Sequence, residues 1–240
     1  MNKPPMNKPL MNKPLMNKLK YTAAVLIAIA GFGLQQANAF TSFINVGNDA
    51  LLNNGNTGPY ARVDISLVDS NTATVTFTSL QQSGNIYLMG GVHAIALNMN
   101  AATFSLSSLV LGSNSGIGFT PGPYTFTGAG VLGGGFGTMN FTIRSFDGFG
   151  HSADLITFNV DNTSGTWASA DDVLAFNAQG FDAGAHIFPT TFPANASNSA
   201  LQTGFAAEAG AGHVPDGGTT VMLLGAALGS LGMARRFLKK

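Results

Sequence analysis

Polar and apolar residues alternate one for one through the middle of the chain. In Arg62-Val63-Asp64-Ile65-Ser66-Leu67-Val68 every second side chain is apolar, and after Asp69-Ser70-Asn71 the alternation resumes in Thr74-Val75-Thr76-Phe77-Thr78. A period of two puts successive side chains on opposite faces of an extended chain, and Asp, Ser and Asn favour turns, so the pattern predicts a β-hairpin. Further strands are predicted over 85–89, 92–99, 103–111, 124–127, 137–146 and 155–160. Clusters such as Gly112-Ser113-Asn114-Ser115-Gly116 and Pro121-Gly122-Pro123 separate them at intervals suited to antiparallel neighbours rather than to helical crossovers. The expected fold class is therefore all-β: an antiparallel β-sandwich, with a jelly-roll-like arrangement among the options, formed at least between residues 61 and 188.

Two stretches depart from the alternation. Ser169 reads as an N-cap, Asp171 and Asp172 suit the first turn of a helix, Val173, Leu174 and Phe176 are placed inward, and Gly180 terminates, so one short helix is expected over 169–178. The glycine-rich run from Gly128 to Gly137 has the composition of a phosphate-cradling loop. It lacks the helix that such a loop must open, because Met139, Phe141 and Ile143 continue with period two, so a loop without nucleotide chemistry is expected.

The two ends obey other rules. Residues 1–20 repeat a five-residue unit with methionines at 1, 6, 11 and 16, so Met16 can serve as the initiator. From there Lys18 and Lys20, the apolar run 23–34 and Ala37-Asn38-Ala39 have the order of a signal peptide, with cleavage expected between Ala39 and Phe40. At the other end, Val214-Pro215-Asp216-Gly217-Gly218 is incompatible with a helix. Sixteen uncharged residues, 219–234, follow, and then Arg235, Arg236, Lys239 and Lys240. As a helix those sixteen residues cover roughly 24 Å, a marginal membrane span, and the four cations would hold its C-terminus in the cytoplasm. The Gly225-x-x-x-Gly229 spacing falls within it, in a segment so rich in small residues that the spacing carries little weight.

This tripartite tail resembles the exosortase-type sorting signals of Gram-negative bacteria, the PEP-CTERM class, and among them the VPDSG-CTERM variant. Val214, Pro215, Asp216 and Gly218 match the signature, and Gly217 stands where the family has serine. The resemblance implies export, handling by signal peptidase and by a membrane-embedded cysteine transpeptidase of the exosortase type, and cleavage near the pentapeptide. It implies a protein anchored in the inner membrane and then carried to the cell surface or beyond. The organisation expected is a signal peptide over 1–39, an exported domain over 40–213 that is similar to uncharacterised proteins of this class, and a sorting signal over 214–240.

The formal net charge of zero hides an asymmetry. Once the ends are set aside, residues 40–213 hold two cations, Arg62 and Arg144, against ten anions, a net of about −8. A nucleic-acid partner is excluded on that ground, since a phosphate backbone needs clustered Lys and Arg. The chain has no cysteine, so neither disulfides nor thiol catalysis are available, and about 174 residues suffice for one unaided core.

Candidate chemistry is sparse. His93, His151, His186 and His213 are isolated in sequence, without a metal-binding spacing, and neither metal nor cofactor is expected. His151 and Asp154, three apart, could share a site; His186 is expected on a strand with its imidazole satisfied. Trp167, Tyr60, Tyr87 and Tyr124 are the aromatic side chains that could stack sugars, with Trp167 the better candidate for a core anchor. Two functions stay open: a non-catalytic envelope or extracellular-matrix protein, in contact with extracellular polysaccharide, or a secreted carbohydrate-binding or carbohydrate-active module using aspartates with His151 or His186.

Overall fold

The computed structural model describes residues 38–208, together with Gly210, Val214, Pro215 and Leu228. The alternating segments become strands of two antiparallel sheets. The first has the order β15 (Val214–Pro215), β1 (Ala39–Ile44), β3 (Ala61–Leu67), β4 (Thr72–Ser79), β12 (Leu155–Asn162) and β8 (Phe104–Leu106), with β9 (Leu111–Ser113) also on β12. The second has the order β10 (Thr125–Leu132), β11 (Gly137–Arg144), β7 (Ile95–Leu97), β13 (Ala183–Thr191), β14 (Gly204–Ala207) and β2 (Val46–Gly47), with β6 (Asn85–Met89) on β13 and β5 (Gln81–Gln82) on β6. The expected all-β sandwich is the fold. Its one described α-helix, α1 (Asp49–Leu52), is a single turn capped by the Asn48 side chain.

The inward residues of the two sheets meet in one apolar core. Val63, Ile65, Val75, Phe77, Ile156, Phe158 and Val160 come from the first sheet, and Ile95, Leu97, Phe141, Ile143, Ala185 and Ile187 from the second. Phe158 and Phe141 stack across the interface with ring centroids 5.1 Å apart and planes 14° from parallel. Tyr60 and Tyr87 meet edge to face at 4.9 Å, and each hydroxyl donates to a backbone carbonyl, of Asn56 and Thr57 respectively. A buried phenol thus satisfies its one polar group while contributing apolar area.

Several sequence expectations are corrected. The segment 169–178 forms one 3-10 turn, Ala170–Val173, and not a longer helix. Leu174 leaves it to bridge Met99, and the Asn98 side chain donates to the Ala175 carbonyl, so pairing with a distant segment takes the backbone groups that a helix would have used. Val173 and Leu174 are buried as expected, but Phe176 is 43% exposed. The glycine-rich run is a loop only over 133–136, which turn the hairpin into β11; before them β10 passes through Gly128 and Gly130 with two register irregularities. The strand expected over 92–99 is reduced to β7, and that over 103–111 is split into β8 and β9. Strands β1, β2 and β14 lie on either side of 61–188, so the sandwich runs from Ala39 to Ala207.

Candidate functional site at the edge strand

β1 joins the domain to both ends of the chain. Its sequence, Ala39-Phe40-Thr41-Ser42-Phe43-Ile44, turns Phe40, Ser42 and Ile44 inward, each at most 2% exposed, and leaves Phe43 45% exposed. On one side all six residues are in register with β3, from Ala39 opposite Ser66 to Ile44 opposite Ala61. On the other side lies β15, the first two residues of the sorting pentapeptide, with Phe40 opposite Pro215 and Thr41 opposite Val214. A proline lacks the N–H that an interior strand must donate, so an outermost strand is where a sheet accepts one. The Thr41 hydroxyl donates to Asp64 at 2.7 Å, and the Arg62 guanidinium donates to the other oxygen of the same carboxylate at 2.7 Å. The first contact ties the outer face of β1 to β3, and the second, within β3, holds the carboxylate in place.

Of the expected processing residues, Ala39 is the first residue of β1, Val214 and Pro215 form β15, and Ala37, Asp216, Gly217 and Gly218 lie outside the described residues. So do Arg235, Arg236, Lys239, Lys240 and the expected signal-peptide and membrane segments. No helix among the described residues is long and apolar enough to cross a membrane. The Leu67 N–H donates to the Asn38 carbonyl at 2.8 Å, so the sheet takes hold of the chain from the residue before Ala39.

Behind β1 is a cluster that the sequence did not announce. Ser42 is 2% exposed, Glu208, just past β14, is 3% exposed, and Asp182, just before β13, is fully buried. The Ser42 hydroxyl and one Glu208 carboxyl oxygen have no hydrogen-bond partner at ordinary geometry. Burial, and then the neighbouring Asp182, push the Glu208 carboxyl up from 4.5 to about 8, so at neutral pH it carries a proton. Asp182 and Glu208 are 26 residues apart in sequence and meet because β13 and β14 form a hairpin in which the Glu208 N–H donates to the Ala183 carbonyl at 2.9 Å. No local spacing could have revealed the pair.

The other candidates separate. His151 Nδ1 is 2.9 Å from the Thr120 carbonyl, while Asp154 accepts from the Ser115 N–H and hydroxyl at 2.8 and 2.7 Å, so both hold the 114–122 connection, each at a different residue, and neither bonds the other. His186 is on a strand as expected, half-buried between Phe205 and Phe188, with its ring facing the backbone of Gly90 and Val92 and no ordinary hydrogen bond at Nδ1. Burial lowers the pKa of both His186 and its neighbour His93. His213 is outside the described residues. Trp167 is the core anchor, 2% exposed, with its indole N–H on the Asn100 carbonyl at 2.9 Å. Tyr60 and Tyr87 are buried too, which leaves Tyr124 of the four aromatic candidates at a surface. It lines an open cleft of about 670 Å³ with Leu106, Leu109, Leu111, Pro123 and Phe126. Asp171 and Asp172 sit on the 3-10 turn, where Asp172 accepts from the Ser169 hydroxyl. No group of three or more metal-ligating side chains occurs among the described residues.

Residues 213–237 match the VPDSG-CTERM motif. No curated protein and no solved structure matches the chain. A sorting tail of the VPDSG-CTERM type therefore closes the sequence, and the edge strand β15 is its beginning. Such a tail marks an exported, envelope-associated protein and implies processing by an exosortase-like enzyme.

Proposed function

We propose that the chain is a non-catalytic display protein of a Gram-negative cell envelope: exported through its signal peptide, held in the inner membrane by residues 219–238, trimmed at the pentapeptide, and presented at the surface or in an extracellular polysaccharide matrix. The observation that carries this reading is the matched tail beginning on the edge strand of a folded domain. The domain's chemistry fits such a role. Its buried carboxyl pair is shut off from solvent, the His151 and Asp154 side chains are each engaged in holding the 114–122 connection, and the lining of the open cleft contains no carboxylate. A glycosidase needs two carboxyl groups flanking a substrate cleft, which this arrangement does not favour.

The test is the intact mass of the protein expressed with and without an exosortase-like enzyme, paired with a glycan array on the exported domain. A tail-sized mass loss that depends on the enzyme, with no sugar turnover, is expected. An unchanged mass in the presence of the enzyme would overturn the sorting role, and sugar hydrolysis would overturn the non-catalytic one.

A further inference from the structure

The register of the edge strand sets the direction in which β15 runs along the sheet. β15 is antiparallel to β1, with Val214 opposite Thr41 and Pro215 opposite Phe40, so it runs towards the end of the sheet at which β1 begins. Asp216, Gly217 and Gly218 are all that separate it from the uncharged run starting at Thr219. Three residues span at most ~10 Å, however they are arranged.

Three loops gather at that end, and they are laced together. Residues 68–71 connect β3 to β4, 100–103 precede β8, and 163–167 follow β12. The Trp167 N–H donates to the Ser70 carbonyl, the Asn71 side chain donates to the Gly165 carbonyl, and the Thr163 N–H donates to the Thr103 carbonyl, at 2.8 to 3.0 Å. Trp167 itself is anchored in the core below them. Their exposed residues are small or polar apart from Val68, 63% exposed, and the one carboxylate within them, Asp69, is kept ionised by the N–H groups of Asn71 and Thr72. Neither Arg62 nor Arg144 belongs to these loops.

We propose that these three loops form the face the domain turns to the bilayer, held within about 10 Å of it by the three-residue linker. The contact is steric and set by the tether. With an anionic carboxylate and no cation, the face has nothing to attract anionic lipid, so the contact should not depend on salt or on lipid charge. The opposite end, with loop 114–122 beyond β9, points away.

The inference rests on residues 219–234 entering the membrane, and the experiment separates the two. The chain has no cysteine, so Val68→Cys and Thr120→Cys each take a single fluorophore. Each labelled full-length protein is placed in phosphatidylcholine vesicles carrying a headgroup quencher and recovered by flotation. The label at position 68 is expected to lose most of its emission and the label at 120 to keep it, in low and high salt alike. Ten Gly/Ser residues inserted after Gly217 should restore the emission at 68. Equal quenching at both positions in protein that floats would overturn the assigned face while leaving the anchor intact. Protein that fails to float would remove the anchor and the assigned face together.

Discussion

The Glu208 carboxyl is packed against that of Asp182 in the hairpin of β13 and β14, with the Ser42 hydroxyl of the opposite sheet beside it. Two carboxylates cannot both be charged in so dry a place, so the pair holds a proton at neutral pH and the sandwich is closed at this point by an acid rather than by an ion. Glu208 is six residues before Val214, which places this closure just ahead of the sorting tail.

A pH dependence follows, and its sign is set by the raised value. Unfolded, Glu208 ionises near 4.5; folded, it keeps its proton to about 8. Between those limits the folded state binds more protons, so the stability this group contributes is full below about 4.5 and is lost as the pH rises through about 8. The thermal midpoint should be lower at pH 8.5 than at pH 5. Glu208→Gln, which stays neutral, should reduce that difference and be more stable than the parent at pH 8.5. An unchanged difference in the variant would remove Glu208 as its source.

The stacked pair Phe141 and Phe158 ties the two sheets together. Phe141 is fully buried, so Phe141→Ala should cost about 3–5 kcal/mol through lost burial and the cavity left behind. Chemical denaturation would read this as a fall in midpoint at unchanged slope.

Gly184 gives a backbone counterpart. A methyl group there would meet the Leu132 side chain and the Ala206 carbonyl oxygen, the latter at 2.9 Å. The strand cannot retreat without breaking its register with β14, so Gly184→Ala should destabilise by about 1–3 kcal/mol despite the modest change in size. The same denaturation measurement checks it.

What could be read from the sequence follows from where each side chain points. β3, β4 and β12 bury one face and wet the other, so their alternation is visible, and Asp69 announces the turn between β3 and β4 because its carboxylate accepts the N–H groups of Asn71 and Thr72. β13 is buried on both faces through most of its length and shows no alternation. β1 does alternate, but with Ser42 inward and Phe43 outward the apolar pattern is scrambled. That same inward serine belongs to the acid cluster, so what hid the strand also hid the cluster. The sorting pentapeptide was legible because its signal is local, whereas its place on the sheet edge required the partner strand.

Cleavage of the leader should leave Phe40 as the first residue, and the fold adds when this must happen. Asn38 and Ala39 are engaged with β3 and the Phe40 ring is buried, whereas a peptidase needs this stretch extended and free. Cleavage is therefore expected before β1 docks. Mass spectrometry of the exported protein checks the position. Purified uncleaved precursor, folded first and then treated with signal peptidase, should resist; rapid cleavage of the folded precursor would contradict the timing.

The tail allows physical anchoring and enzymatic recognition to be tested apart. With residues 219–238 held in the membrane as proposed, Arg235, Arg236, Lys239 and Lys240 would act through the positive-inside effect, which depends on charge and position and on no particular enzyme. Replacing all four with Gln should scramble orientation and lower the membrane-held fraction whether or not the sorting enzyme is present. Pro215 and Asp216 would act otherwise. They precede the uncharged segment, so Pro215→Ala with Asp216→Ala should leave insertion intact and abolish trimming. The edge pairing sharpens this expectation, because Ala at 215 restores a backbone N–H and places no new demand on β1, whose partner there is Phe40. A loss of trimming in this variant would then report recognition by the enzyme and not collapse of the edge strand. Tail mass and membrane fraction, measured for both variants in a host carrying the enzyme, decide the matter. If the doubly substituted protein is trimmed as efficiently as its parent, the pentapeptide is not the recognised element and residues 219–238 act as a permanent anchor.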